Sequence, residues 1–451
     1  MRSPTISQLA ERRAGIFGAG ADGRSAWEAL ARRGAPPPVV FADREPAPGT
    51  VPAGLRVVTG DAMPAALSEI DALIRSPGVR LSHPLLAAAA RRGLAVTTTA
   101  QLFLREARSA GLPVVGITGS KGKSTTATLA WRLLREAGRP AVLAGNIGTP
   151  CLDVLDEALA AGAVSVLELS SYQCADLELG PQVAVLLALF PEHMDWHGGA
   201  AAYFAAKLNL AERQRPEDLT LYSAADRELI SRLPLGPARH EAFQDERGLH
   251  YAGGWFRDGE RRLFPDAAVL LRGRHNRVNA VAALAATRPF GAAPEHLERV
   301  LAAFDGLPHR LEPVGTHAGV RWVNDSISTA PEAAAAALEA FAGEVDTLIA
   351  GGTDRGFDFA VLARALAAGE VRTVITLPPG GAALAAAIHA ACPPGKPAVR
   401  AAADLRAAVA LGAAVTAPGR VCLLSPGSPS YGAFRNFEDR GEQFRSLVQA
   451  L

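Results

Sequence analysis

A chain of 451 residues, 49% hydrophobic and 20% charged, can bury large cores, so about two to four ordered domains are expected rather than disorder. A formal net charge of +1 argues against a main task of gripping nucleic acid or an anionic membrane. Glu11, Arg12, Arg13, Asp22 and Arg24 break up any signal-peptide core, and no uncharged apolar run reaches the ~20 residues of a membrane span, which predicts a cytoplasmic protein without membrane insertion. Cys151, Cys174, Cys392 and Cys422 lie far apart with no CxxC pair and are expected to be reduced, buried small hydrophobes.

The first βαβ unit is expected over Ala14 to Asp43. Gly15-Ile16-Phe17 leads into Gly18-Ala19-Gly20-Ala21-Asp22-Gly23, a helical run follows to Arg33, and Val39-Val40-Phe41-Ala42 ends at Asp43. This is G-x-G-x-x-G with an acid some twenty residues on, the dinucleotide fingerprint. Taken alone it suggests NAD(H) with Asp43 on a ribose. Its general content is only a pyrophosphate near a helix N-terminus. A further strand at Ala72-Leu73-Ile74 closes in Arg75-Ser76-Pro77-Gly78-Val79, and a helix starts from His83. Residues 1–101 therefore read as a small α/β domain for a nucleotide-diphosphate group.

The second domain, residues 102–307, opens on Val114-Val115-Gly116-Ile117-Thr118 followed by Gly119-Ser120-Lys121-Gly122-Lys123-Ser124-Thr125 and a helix over Ala127 to Ala137. Strand, glycine turn and helix aim backbone N–H groups and a helix N-terminus at a phosphate. Lys123 would reach the outer phosphates, and Ser124 or Thr125 would hold Mg²⁺ through a hydroxyl. The spacing is shortened, because Ile117 stands where a glycine is usual. Strands are expected at Ala141–Ala144, ending in Gly145-Asn146-Ile147-Gly148, at Val164–Leu169, ending in Glu168-Leu169-Ser170-Ser171, and at Val183–Phe190, ending in Pro191-Glu192-His193. Open α/β sheets bind ligands at such carboxyl ends. Glu168 is assigned as a Mg²⁺ ligand, with an exposed acid capping the next turn as the alternative. On residue type alone His193 is equally a ligand or a satisfied loop histidine.

In the third domain, residues 308–451, strands are expected at Val320-Trp322-Val323, Thr347–Ala350, Val371–Ile375 and Val421–Leu424. Alanine-rich helices such as Pro331–Phe341 and Phe359–Ala368 alternate with them. That alternation predicts another parallel sheet. The fold class is α/β in three domains: a Rossmann-like N-terminal domain, a central phosphate-loop ATPase domain with a mainly parallel sheet, and a Rossmann-like C-terminal domain.

Eight pieces occur in one order: Thr118–Thr125, Gly145–Gly148, Glu168–Gln173, Glu192–Asp195, Ala205-Ala206-Lys207, His275–Ala280, Gly306–Arg310 and Asn324-Asp325-Ser326. The series resembles the Mur ligases, most closely their glutamate-adding branch, over nearly the whole chain. The resemblance implies a monomeric, ATP- and Mg²⁺-dependent amide ligase in which ATP phosphorylates the carboxylate of UDP-N-acetylmuramoyl-L-alanine and glutamate displaces the phosphate. A carboxylate is a poor electrophile, so the phosphoryl group supplies a leaving group, while cations offset the repulsion between two anions.

By this resemblance Gly119, Ser120, Lys121, Gly122, Lys123, Ser124 and Thr125 hold ATP phosphates. Thr125 and Glu168 serve one Mg²⁺, and His193 with a carbamylated Lys207 serves a second. Without the family, Lys207 would read as a solvated surface residue. Asn276, Arg310 and Asp325 take the adenine, phosphate and ribose of ATP, and Asn146 helps place the acyl end of the uridine substrate. Gly20, Ala21 and Asp22 then lie near its pyrophosphate, with Asp43 and Arg44 near uracil and Ser76 also on this substrate. NAD(H) becomes a minor alternative. Closure of the domains over the acyl phosphate is expected, since water must be kept out.

The departures gather in the third domain. Asn-Asp-Ser is usually followed by Lys-Ala-Thr-Asn in D-glutamate-adding members; here Ile327-Ser328-Thr329-Ala330 follows. Thr353-Asp354-Arg355-Gly356 replaces a turn carrying Asp-Gly-Lys, and Ser425-Pro426-Gly427-Ser428-Pro429-Ser430-Tyr431 replaces Ser-Pro-Ala-Cys-Ala-Ser. An arginine fork reads a carboxylate differently from a lysine point charge, and inverting a stereocentre moves the side-chain carboxylate. The acceptor is read as L-glutamate, met by Thr329, Arg355, Ser430, Tyr431 and Phe437, with D-glutamate as the alternative. A folylpolyglutamate synthase, another Mur ligase and a non-enzymatic phosphate-loop switch are the remaining rivals.

Overall fold

In the computed structural model, residues 4–271, 273–304, 306–354 and 356–451 are described; Arg355 lies outside them. The chain forms two compact units, one of residues up to Val269 with Arg274–Ala302, the other of Leu270–Gly273 with Ala303–Leu451.

The first unit holds two parallel sheets. Strands β1 (Ala14–Phe17), β2 (Val39–Ala42), β3 (Arg56–Thr59), β4 (Ala72–Arg75) and β5 (Ala95–Thr97) pair in the order β3-β2-β1-β4-β5. Alternate side chains face opposite layers. Ile16 and Ile74 pack with Ala26, Leu30 and Phe103, while Phe17 and Leu73 pack with Val58, Leu67 and Leu85. The order reverses between β1 and β4, which opens a crevice at their carboxyl ends. Gly18, with φ of +112°, and Ser76 meet there; a Cβ on Gly18 would lie 2.6 Å from Ser76 Oγ.

The second sheet comprises β6 (Val114–Thr118), β7 (Ala141–Gly145), β8 (Val164–Glu168), β9 (Val183–Leu186), β10 (Leu219–Ser223) and β11 (Arg239–Phe243), all parallel, in the order β11-β10-β9-β6-β8-β7. Strand β6 is central and buried throughout, with β8 and β9 as neighbours. The run expected to continue to Phe190 leaves the regular ladder at Leu186. Beyond it Ala188 O accepts from Ser120 N, and Leu189 N donates to Asp226, so this stretch is held against the phosphate loop. An antiparallel meander, β12 (Leu249–Ala252), β13 (Trp255–Asp258) and β14 (Arg261–Pro265), follows and was not expected from the sequence.

The second unit is one sheet of β15 (Glu312–His317), β16 (Val320–Asn324), β17 (Val345–Gly351), β18 (Thr373–Leu377), β19 (Ala398–Ala401) and β20 (Val421–Leu424), ordered β15-β16-β20-β17-β18-β19. Only β15 runs antiparallel. Helices Pro331–Ala340, Ala360–Ala368 and Gly381–Ala391 cover one face through Leu338, Leu362 and Leu384; Leu405–Val415 and Phe437–Gln449 cover the other through Val409 and Phe444. Each such large apolar side chain contributes about 1.5–3 kcal/mol relative to exposure.

Cys151, Cys174 and Cys422 are buried, Cys392 only partly, and all four are free. Among the described residues no helix is long and apolar enough to cross a membrane.

Candidate active site

The phosphate loop leaves β6 through Gly119 (φ +153°) and Gly122 (φ +86°). A Cβ on Gly119 would sit 2.6 Å from that of Leu187, and one on Gly122 would sit 2.4 Å from Asn279 Oδ1. Glycine is required at both positions for φ and for close approach. The helix begins at Lys123, four residues earlier than the expected Ala127, and runs to Glu136. Gly122 caps it without a side chain, which leaves the first N–H groups of the helix to meet an anion. Lys123 Nζ lies 3.0 Å from Gly119 O and 2.9 Å from Ser120 O, folded over the loop. Lys121 pairs with Glu192 at 2.7 Å. Ser120 is a stitch: its Oγ donates to Phe190 O (2.7 Å), accepts from Phe190 N (2.9 Å) and lies 3.0 Å from Tyr203 Oη. Thr125 is buried and Ser124 half-buried.

Glu168 ends β8 and is only 1% exposed. Its Oε1 accepts from Asn146 Nδ2 at 3.1 Å, whereas its buried Oε2 has no hydrogen-bond partner among the described residues. Gly145 is its register partner, and a Cβ there would meet Glu168 O at 2.1 Å. An orphaned carboxylate oxygen is costly unless a cation or donor completes it.

Lys207 departs from its surface reading. It sits at 1% exposure in helix Ala200–Glu212, with Nζ 2.7 Å from Gly119 O and 4.9 Å from the Tyr203 ring centroid. Burial, then the charge of Lys123, lowers its pKa to about 7. A buried amine of this kind is partly neutral near pH 7 and therefore nucleophilic. His193 holds a left-handed backbone (φ 52°) and lies 5.2 Å from the Tyr172 ring. Partial burial and the cations Lys207, Lys123 and Lys121 lower its pKa, against the pull of Glu192. His197, stacked on Tyr172 and 2.9 Å from Ser171 Oγ, is pushed down to about 4 by burial and then by His193 and Lys207.

Asn276 is buried in helix Arg274–Thr287, where Asn279 Nδ2 donates to its Oδ1 at 3.1 Å. The structure thus brings Lys123, Thr125, Asn146, Glu168, His193, Lys207 and Asn276 into the first unit around or after the carboxyl end of its second sheet. At the crevice of the first sheet, Gly20 caps helix Ala21–Ala31 without a side-chain bond. Asp22 accepts from Thr99 Oγ1, and burial raises its pKa. Asp43 lies 3.1 Å from His83 Nε2, and Arg44 is exposed.

In the second unit Asp325, just after β16, is 2% exposed. It accepts from Ser425 Oγ (2.7 Å) and Leu311 N (3.2 Å), and burial raises its pKa to about 6, opposed by the Ser328 and Ser425 hydroxyls, by Arg310 and by the Leu311 N–H. Arg310 Nε makes no hydrogen bond among the described residues. A cleft of about 830 Å³ opens where the loops after β17, β18 and β20 meet helix Phe437–Gln449, lined by Thr353, Ser430, Tyr431, Arg406, Arg435 and Arg440 among others. Thr329 and Phe437 are not among the residues lining this cleft; Phe437 lies 6.3 Å from the His309 ring.

Sequence reasoning missed Asn279, although it lies three residues from Asn276 on one helix face. It also missed Arg440, which is wholly buried and bonds Ser326 O, Ser326 Oγ and Ser428 O. Nothing local marks Arg440, because its partners are distant in sequence.

Three family domains match the chain: the MurD-like Mur ligase N-terminal domain over residues 12–98, the Mur ligase middle domain over 117–287 and the Mur ligase glutamate ligase domain over 309–427. The chain is 41% identical to the UDP-N-acetylmuramoyl-L-alanine--L-glutamate ligase of Salinispora tropica, across 98% of this chain and 99% of that one. It is 38% identical to the UDP-N-acetylmuramoylalanine--D-glutamate ligase of Symbiobacterium thermophilum, across 88% of each. Its fold resembles the crystal structure of the UDP-N-acetylmuramate-alanine ligase MurC from Thermotoga maritima, at a TM-score of 0.61 and 14% identity over 98% of this chain and 100% of that one. The chain belongs to the Mur ligase family, ATP-dependent enzymes that form amide bonds.

Proposed function

We propose that the protein joins L-glutamate to UDP-N-acetylmuramoyl-L-alanine in the cytoplasm, in peptidoglycan precursor synthesis, by way of an acyl phosphate. The observation that carries the reading is the gathering of a glycine phosphate cradle, Lys123, the half-satisfied carboxylate of Glu168 and the buried amine of Lys207 at the carboxyl end of one sheet.

Mg²⁺ suits this donor set. A small hard cation takes oxygen donors, here the open carboxylate oxygen of Glu168 and the hydroxyl of Thr125, with phosphate and water supplying the rest. Thr125 and Glu168 would hold one Mg²⁺, for which Glu168 Oε2 is left open, and His193 with a carbamylated Lys207 would hold a second. When bound it would offset the negative charge of phosphates and carboxylate.

Residues 1–101 bind the uridine substrate in this reading, through Gly20, Ala21, Asp22, Asp43, Arg44 and Ser76, with Asn146 placing its carboxylate. Residues 102–307 hold ATP, with Asn276 on adenine and the N–H groups of Gly119 and Lys121 to Thr125 with Lys123 on the phosphates, Ser120 N–H being taken by Ala188 O; Arg310 and Asp325 are assigned to phosphate and ribose. Residues 308–451 receive glutamate through Thr329, Arg355, Ser430, Tyr431 and Phe437. Lys123 and the loop steady the γ-phosphoryl group as the substrate carboxylate oxygen takes it and ADP departs. The glutamate amine then attacks the acyl carbon, phosphate leaves with the C–O electron pair, and the amine loses a proton. The L form is favoured by the departures at Ile327 and Ser428–Tyr431 and by the L-glutamate specificity named for the Salinispora relative.

The test is phosphate release from ATP and Mg²⁺ with UDP-N-acetylmuramoyl-L-alanine, with L- or D-glutamate as acceptor and the product identified by mass. Turnover with L-glutamate is expected. Turnover with D-glutamate alone would overturn the stereochemical reading, and turnover with neither would overturn the ligase assignment.

A further inference from the structure

Arg75 ends an otherwise apolar strand, β4, and is completely buried. A buried guanidinium is tolerated only where its N–H groups are matched. Here Nε and Nη2 grip both oxygens of Asp176, at 2.9 and 2.7 Å, in a bidentate fork, and Nη2 also donates to Tyr172 O at 3.1 Å. Nη1 turns the other way and meets Ser76 O (3.3 Å), Pro77 O (3.1 Å) and Val79 O (2.7 Å). The one carbonyl of that turn which Arg75 does not reach, Gly78 O, accepts from Trp196 Nε1 at 3.2 Å. Four successive carbonyls are therefore oriented by two side chains. Ser76 in turn donates from Oγ to Gly18 O at 3.3 Å, at the crevice of the first sheet.

The far anchors of this clamp belong to the second sheet's side of the unit. Tyr172 and Asp176 follow β8, and the Tyr172 ring packs at a tilt against Trp196 (4.6 Å) and His193 (5.2 Å). One guanidinium thus sets both the turn at the first crevice and the segment beside the histidines.

We propose that Arg75, with Trp196 as its second hold, is the positioning residue of the Ser76–Val79 turn, fixing the backbone that receives the uridine diphosphate substrate. The proposal rests on the reading of the first crevice as the uridine-substrate site. A purely structural ion pair would behave differently. Replacing a buried pair by apolar residues is often neutral for stability, so stability and substrate affinity separate in a suitable variant. Lysine keeps the charge but has no planar fork, and cannot hold the Asp176 carboxylate and three carbonyls together.

Binding of UDP-N-acetylmuramoyl-L-alanine by titration calorimetry, with KM values for it, for ATP and for glutamate, tests this in the wild type, Arg75→Lys, Trp196→Phe and the double variant Arg75→Met with Asp176→Leu. The expected result is at least about tenfold weaker binding and a matching rise in KM for the uridine substrate in Arg75→Lys and in the double variant, about threefold in Trp196→Phe, with KM for ATP within about twofold of wild type. Unchanged uridine-substrate affinity in all three variants would overturn the proposal, as would equal rises in all three KM values. If Arg75→Lys fails to fold, Trp196→Phe and the double variant decide by the same criterion. A wild type that binds the uridine substrate but does not ligate it breaks the functional reading and leaves the Arg75 comparison intact; a wild type that does not bind it overturns both.

Discussion

Replacing Asp325 by Asn should make the protein more stable at pH 8 while weakening it as an enzyme. Asp325 is 2% exposed and its pKa is raised from 3.8 to about 6, chiefly by burial. That gap corresponds to about 3 kcal/mol of cost in keeping the folded carboxylate ionised. The sign follows from proton binding. Between 3.8 and about 6 the folded state binds more protons than the unfolded one, so the contribution of Asp325 to stability is full below 3.8 and is lost as pH rises through about 6. Asn keeps an oxygen for Leu311 N–H, and the Ser425 hydroxyl can rotate to accept from its amide. The amide brings one more N–H into a buried site than a protonated carboxyl does, which trims the gain to about 1–3 kcal/mol at pH 8. At pH 5 only about half of the ionisation cost remains, so the advantage should shrink by about 1.4 kcal/mol. Thermal unfolding of wild type and Asp325→Asn at the two pH values measures this, and steady-state kinetics should show KM for ATP raised about tenfold or more. A variant that is less stable by the same amount at pH 8 and pH 5, or whose advantage grows on acidification, would refute the argument.

Glu168→Gln should fold normally, because an amide can still accept from Asn146, yet lose about a hundredfold or more in kcat as the open anionic oxygen disappears; partial recovery by raised Mg²⁺ would indicate weakened cation binding, and unchanged kcat would remove Glu168 from the site. Gly122→Ala should cost about 1–3 kcal/mol and most of the activity, since alanine must take a φ of +86° and displace Asn279, measurable by thermal unfolding alongside phosphate release. Lys207→Met should abolish ligation without lowering the melting temperature, because a buried amine with its pKa held down to about 7 does not favour folding at neutral pH; intact-protein mass after bicarbonate treatment should show one added carbon dioxide on wild type and none on the variant.

How much was legible in the chain follows from how local each cause is. Buried parallel strands read as continuous apolar runs, so β1, β6, β8, β17 and β20 were visible directly, and glycine turns with a following lysine and hydroxyls marked the phosphate loop. Edge strands such as β3, reading Arg-Val-Val-Thr, and the antiparallel β12–β14 meander lack that run, because one face or one edge meets water. The parallel β/α alternation and the ordered series of ligase motifs were therefore determined by sequence alone. Tertiary structure decided which polar groups are taken out of water. Lys207 in an alanine-rich helix looks solvated until the phosphate loop closes over it. Ser120 looks like a phosphate donor until Phe190 and Tyr203 occupy its hydroxyl. Arg75 ends a strand with no local partner, and its matching carboxylate lies 101 residues away at Asp176. Burial and hydrogen-bond matching depend on contacts between segments remote in sequence, and no local pattern of residue types encodes them.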